Sequence, residues 1–170
     1  FLAWYYGGNE RTLATIDTHI RGSDARRGIG QLGIAHPARG AFVETVEGSL
    51  KLNGYVTSLY GRKRWIPSIY SPDRTQKAEA VRMGANAVIQ MTAADIIKIA
   101  LRCIHDSLNG YQSKLILTVH DEVVLDCPMN EVDKVVDIVV QSFKGLLSIE
   151  LPVEVKVGLN WGAMEAYHET

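Results

Sequence analysis

The sequence predicts an α+β fold, an antiparallel sheet covered on one face by helices. Three observations carry this expectation. Apolar residues recur at helical spacing across residues 74–108. Two strand-like runs, 115–119 and 123–125, flank the polar His120-Asp121-Glu122. Residues 152–158 alternate strictly, with Val153, Val155 and Val157 on one face and Glu154 and Lys156 on the other. The expected order in the second half is therefore helix, helix, strand, strand, helix, strand, and a chain of 170 residues can bury one such core.

The elements follow in chain order. Residues 1–40 are rich in glycine and weakly patterned, which predicts short helices and loops. Phe42, Val43, Val46 and Leu50 have helical spacing that ends at Asn53-Gly54, a pair tolerant of positive φ. Tyr55 to Tyr60 and Arg62 to Ile66 read as paired strands turning at Gly61, and Ser71-Pro72-Asp73 as a loop. Thr92-Ala93-Ala94-Asp95 resembles a helix start with an acidic residue in the first turn, so two helices meeting near Met91 are expected within 74–108. Asn109-Gly110 closes the second of them. Pro128 and Asn130 end the second hairpin strand and cap a helix carrying Val132, Val135, Val136, Val139, Phe143 and Leu146, and residues 152–158 supply a third antiparallel strand.

Composition sets the outer limits. Hydrophobic residues at 46% and charged residues at 22% match ordinary soluble globular chains and exclude collagen-like or largely disordered readings. A net charge of -1 requires any nucleic-acid affinity to come from a local patch. Two cysteines, Cys103 and Cys127, make no disulfide framework and fit a reducing compartment. No apolar run approaches the roughly 20 residues of a membrane helix. The start FLAWYYGG, without an initiator Met or a signal pattern, reads as the interior of a longer chain.

Three features could carry chemistry, and two further motifs only look as if they do. Asp121 and Glu122 place adjacent carboxylates at a hairpin tip, where they can reach a hard divalent ion, although a plain surface hairpin is the commoner meaning of such a tip in isolation. Arg82, Asn86 and Gln90, spaced i, i+4 and i+8, share one helix face and suit contacts to a minor groove or a phosphate backbone; a solvated face is the plain alternative. Arg62, Lys63 and Arg64 beside Trp65 form the densest basic cluster. His105-Asp106 and His120-Asp121 repeat a pair used by metal-dependent phosphohydrolases, a reading that needs a mostly helical fold. Gly28 to Gly33 spells a dinucleotide fingerprint but lacks the preceding strand, and Pro37 stands where its helix should run.

Taken together these features resemble family A DNA polymerases, the group of bacterial DNA polymerase I. RGAFVETVEGSLKLNGYVTSLYGRKRWIP is similar to the end of the fingers segment. RMGANAVIQMTAADIIKIA resembles the RMxxNxxxQGxxAD helix pair, LTVHDEVVLDCP carries the VHDE of motif C, and VKVGLNWGAMEAYHET is similar to the C-terminal strand and tail. The four occur in order over roughly three quarters of the chain.

The resemblance implies an antiparallel palm sheet with the motif C hairpin covered by helices, plus a partial fingers region. Residues 1–75 would hold the fingers portion and the segment following motif A, and residues 76–170 the palm. It further implies a DNA-directed DNA polymerase that joins dNTPs to a primer end with two Mg²⁺ ions. Asp121 is then the metal-binding and catalytic aspartate, with Glu122 its supporting acid, and His120 lies near the primer terminus. Arg82, Asn86 and Gln90 contact primer-template DNA, and Arg62 and Arg64 contact backbone or template. The partners are primer-template DNA and dNTPs, with no membrane, in a monomer within a longer polymerase chain of the bacterial or phage-infected cytoplasm, an organellar matrix or a nucleus.

Three departures from the family pattern qualify this. Met91 stands where the family has glycine. FLAWYYGGNERTL with Asp17-Thr18-His19 resembles the stretch after motif A, so the first metal-binding aspartate would precede Phe1. After Arg26-Arg27 the chain passes to GIGQLGIAHPARGAF without the fingers lysine and tyrosine that serve the incoming triphosphate. The chain alone is therefore expected to be a poor polymerase, with a non-catalytic primer-template binding module as the competing reading and a His-Asp phosphohydrolase as a minor one.

Overall fold

In the computed structural model the described residues are Gln31 and residues 34–167, so the glycine-rich fingerprint, Asp17-Thr18-His19 and Arg26-Arg27 lie outside them, apart from Gln31. The chain divides into two compact units, Phe1–Thr92 and Ala93–Thr170.

In the first unit, helix α1 (Pro37–Asn53) starts on a proline, whose fixed φ and missing N–H suit a first turn. It ends at Gly54, whose φ of 75° lets its N–H return to the Leu50 carbonyl at 2.8 Å. Strands β1 (Tyr55–Thr57) and β2 (Lys63–Trp65) pair antiparallel, Val56 opposite Arg64, and Gly61 makes the turn at φ 84°. Val46, Leu50, Val56, Ile66 and Ile69 form a core with Ala80 and Ala87 of helix α2 (Arg74–Ser107). Gly84 permits that packing, because a Cβ there would stand 2.8 Å from Leu50 Cδ1 and 2.9 Å from Val46 Cγ1.

Asp73 opens α2 by accepting the Thr75 N–H at 2.8 Å, the side-chain cap that an exposed helix start requires. The helix then runs 34 residues, about 50 Å at 1.5 Å per residue, without the expected break near Met91. The hydroxyl of Thr92 explains the difference. It does not cap a new helix but donates to the Val88 carbonyl one turn back at 2.7 Å and accepts the Leu59 N–H at 3.1 Å. Both polar capacities of a buried residue are met without unwinding the helix.

In the second unit, Ile96, Ala100 and Ile104 of α2 are buried at i, i+4 spacing. Strands β3 (Lys114–Val119) and β4 (Glu122–Asp126) form an antiparallel hairpin with a bulge at Ile116, the unpaired residue between Leu115 and Leu117. Helix α3 (Val132–Phe143) packs Val135, Ile138, Val139 and Phe143 against Ile104, Leu108, Leu115, Val123 and Leu125. Asn130 does not cap α3. It lies in a 3-10 turn, Met129–Glu131, and Glu131 occupies the cap position. Glu131's carboxylate accepts from Gln112 N at 3.0 Å, Ser113 N at 2.9 Å and Ser113 Oγ at 2.6 Å. These bonds, the Ser113 hydroxyl foremost and the Gln112 N–H next, hold the Glu131 carboxyl below the usual carboxylate range.

Helices and antiparallel pairs are present as expected, but among the described residues they make three separate two-stranded ladders rather than one covered sheet. The expected third strand is reduced to β5 (Lys156–Val157), which pairs with β6 (Glu165–Ala166) instead of the hairpin. The alternation of residues 152–158 survives as burial, Val153, Val155 and Val157 half-buried and Glu154 and Lys156 exposed. A two-fold pattern fixes which face a residue takes but not which strand it joins.

Two outcomes follow for stability. Gly84→Ala should lower it by about 1–2 kcal/mol through overpacking, despite alanine's better helix propensity, and an unchanged urea midpoint would show that Leu50 and Val46 retreat without cost. Glu131→Gln should destabilise the second unit near neutral pH. Because the folded carboxyl titrates below its unfolded value, its contribution is present above about pH 4.3 and disappears as pH falls through the folded value. The variant should therefore lose part of the wild-type decline in acid, read from unfolding midpoints across pH.

Candidate functional site

The site is built on the β3–β4 hairpin. Val119 pairs with Glu122, leaving His120-Asp121 as a two-residue turn. Such turns need positive φ, and His120 supplies it at 54°, alone among the described non-glycine residues. Left-handed backbone costs a side-chain-bearing residue roughly 1–2 kcal/mol. Histidine is among the residue types that accept it, and the turn holds it. Asp121 sits at the apex and Glu122 opens β4, both exposed. The bulge at Ile116 adds local twist to the strand leading to that apex.

At the other end, Lys114 opposite Asp126 begins the ladder immediately after Ser113. The Glu131 bonds therefore fix where the hairpin starts. Ser113 is buried there, its Oγ 3.2 Å from the Cys127 sulfur. Sequence reasoning missed Glu131 because its partners lie 18 and 19 positions away, beyond any local spacing rule. The pattern of Thr92 with Asp95 predicts a helix start for a related reason, since Leu59, whose N–H the Thr92 hydroxyl accepts, is 33 positions distant.

The remaining sequence-predicted residues lie in the first unit, on α2 and the β1–β2 hairpin. Arg82 and Asn86, half-buried, and Gln90, exposed, run along one face of α2, well round the helix from the buried Ala80, Gly84 and Ala87. Arg62 is half-buried, and its Nη2 donates to the Met91 carbonyl at 2.9 Å, which ties the hairpin to α2. Arg64 is exposed on β2. Around it, Lys63 Nζ stands 4.6 Å over the Tyr55 ring and Trp65 meets Tyr55 edge to face at 4.7 Å between centroids.

Adjacent exposed carboxylates on a held turn are chemically suited to Mg²⁺, which takes one or two protein carboxylates together with phosphate oxygens and water. They fit one share of such a site; among the described residues no three His, Cys, Asp or Glu side chains converge as a complete cage. His105-Asp106 is arranged differently. Asp106 accepts from Arg102 Nε at 2.7 Å in an exposed i, i+4 pair, and that hydrogen bond and charge raise the Arg102 pKa. The second His-Asp pair stands on a strand turn instead of a helix, contrary to the helical arrangement the phosphohydrolase reading requires. No described helix is long and apolar enough to cross a membrane.

Comparison with known proteins bears on the family and the fold. Residues 2–163 match DNA polymerase family A. DNA polymerase I of Caldicellulosiruptor bescii is 35% identical over 160 residues, covering 92% of this chain and 19% of the relative. The thermostable DNA polymerase I of Thermus thermophilus is 32% identical over 164 residues, covering 88% of this chain and 20% of the relative. This chain thus spans about a fifth of the length of these relatives. Among solved structures, the POL domain of Pol1 from M. smegmatis, in complex with DNA primer-template and dNTP, superposes with a TM-score of 0.80 at 25% identity, over 87% of this chain and 26% of that one. With nearly its whole length matched by the family and its fold shared with a Pol1 POL domain, the chain belongs to the family A DNA polymerases.

Proposed function

We propose that this chain is the palm and part of the fingers of a DNA-directed DNA polymerase, adding dNTPs to a primer 3′ end under template direction. Residues 1–75 are assigned to the fingers portion with the segment after motif A, and residues 76–170 to the palm. The observation that carries the reading is the two-residue turn with Asp121 at its apex and Glu122 opening the next strand, within a chain matched to the family over residues 2–163. Family A polymerases use Mg²⁺, and Asp121, supported by Glu122, is the group that would hold it. When bound, paired ions stabilise the attacking and leaving oxygens of phosphoryl transfer. Such transfer calls for carboxylates from a second strand, so this hairpin is assigned the motif C share of the site.

The chain's own residues would do the rest by positioning. His120 is assigned to the primer terminus. Arg82, Asn86 and Gln90 offer a cation and two amides along one helix face, a set suited to minor-groove edges and phosphates. Arg64 adds an exposed cation for the backbone, and Arg62, whose Nη2 donates to the Met91 carbonyl, is assigned to backbone or template beside it. The bacterial DNA polymerase I relatives favour a cytoplasmic setting.

Primer extension by the polymerase containing this chain tests the reading. Asp121→Ala should cut extension by about three orders of magnitude while primer-template binding persists, and Glu122→Gln should cut it less. Binding with extension untouched by Asp121→Ala would instead favour a DNA-binding module without chemistry in this hairpin. Arg64→Gln should weaken DNA binding about equally across sequences and reduce the slope of log affinity against log salt by about 1; an unchanged slope would remove Arg64 from the interface.

A further inference from the structure

The chain contains two Asn-Gly pairs, Asn53-Gly54 and Asn109-Gly110, and the structure treats them differently. Both glycines have positive φ, 75° and 92°, so backbone conformation does not separate them. Their surroundings do. Gly54 is buried and its N–H is bonded to the Leu50 carbonyl at 2.8 Å, with the Tyr70 ring 3.3 Å from the position a Cβ would take. Gly110 is exposed in the turn between α2 and β3, and nothing lies within 4 Å of the corresponding position. The hydrogen bonds of that turn run from Asn109 N and Nδ2 to the Asp106 carbonyl, at 3.5 and 2.9 Å, and from Tyr111 N to the Leu108 carbonyl at 3.0 Å. None of these employs the Gly110 N–H.

We propose that Asn109 is a site of spontaneous deamidation, with the Gly110 backbone nitrogen as nucleophile. Base removes the Gly110 amide proton, and the nitrogen attacks Asn109 Cγ. The N–Cγ bond forms, the Cγ–Nδ2 bond breaks, and ammonia departs with the proton, leaving a five-membered succinimide. Water then opens the ring at either carbonyl, giving an aspartyl or an isoaspartyl residue at position 109. Glycine offers no side chain to obstruct the attack, and ring closure at this turn disturbs neither a helix nor a strand bond. At Gly54 the same reaction requires the end of α1 to open first, and only the opened fraction can react. The product would introduce a carboxylate three residues before Gln112, in the segment whose amides Glu131 holds.

Incubation of the purified protein at mildly alkaline pH, followed by proteolysis and mass spectrometry of both Asn-Gly peptides, tests the proposal. Amide-to-acid conversion should be at least roughly tenfold faster at Asn109 than at Asn53 in the native protein, and the two rates should converge in urea, where local protection is gone. Asn109→Ser should abolish the native signal. Equal native rates, faster conversion at Asn53, or no conversion at Asn109 in the folded protein would overturn the proposal.

Discussion

A carboxylate that accepts three hydrogen bonds from the residues just before a strand fixes where that strand begins. Glu131 does this for Gln112 and Ser113, at the point where the chain leaves α2 and enters β3. The register of the hairpin follows from that start: Lys114 opposite Asp126, the extra residue at Ile116, and Val119 opposite Glu122. A one-residue slip would turn every side chain of β3 to the other face and take Leu115 out of the core that Ile104, Leu108 and Val135 make with α3. The apex that carries Asp121 is thus defined from the far end of the hairpin, by a residue that belongs to neither strand.

The same economy of polar groups governs α2. A threonine followed three residues later by an acid can begin a helix, and Thr92 with Asp95 has that form. In the folded chain the Thr92 hydroxyl is buried, so both its donor and its acceptor must be satisfied. The Val88 carbonyl and the Leu59 N–H satisfy them, and the helix continues. Arg62 works alongside, its guanidinium on the Met91 carbonyl. The polar face of Arg82, Asn86 and Gln90 therefore rests on a helix held to the β1–β2 hairpin by two long-range polar contacts as well as by the apolar core.

The proposed chemistry suits these supports. Carboxylates that hold Mg²⁺ beside a phosphate must remain reachable, so a turn on a held hairpin is a better location than a buried strand. His120 accepts a left-handed backbone to make that turn two residues long, and strain of this kind concentrates where geometry matters for function. Surface ion pairs such as Arg102 with Asp106 have no comparable part, because exposed pairs contribute little in water.

The sequence by itself determined much of what depends on near neighbours, though not the cap of α3, where Glu131 stands in place of Asn130. Periodicity revealed α1, the long apolar pattern of α2 and the amphipathic α3; Asn53-Gly54 and Gly61 marked turns; and the ordered motifs identified the family. The place of Asp121 and Glu122 at a hairpin tip was legible because a tip is defined by the strands on either side of it. The tertiary structure alone decided matters that involve distant partners. These include the continuity of α2 through Thr92, the role of Glu131 at the base of the hairpin, the pairing of residues 156–157 with 165–166, and the unequal exposure of two identical Asn-Gly pairs. Local propensity ranks the conformations a segment can adopt, whereas satisfaction of buried donors and acceptors across 18 to 33 positions selects among them, and no spacing within a single segment records that selection.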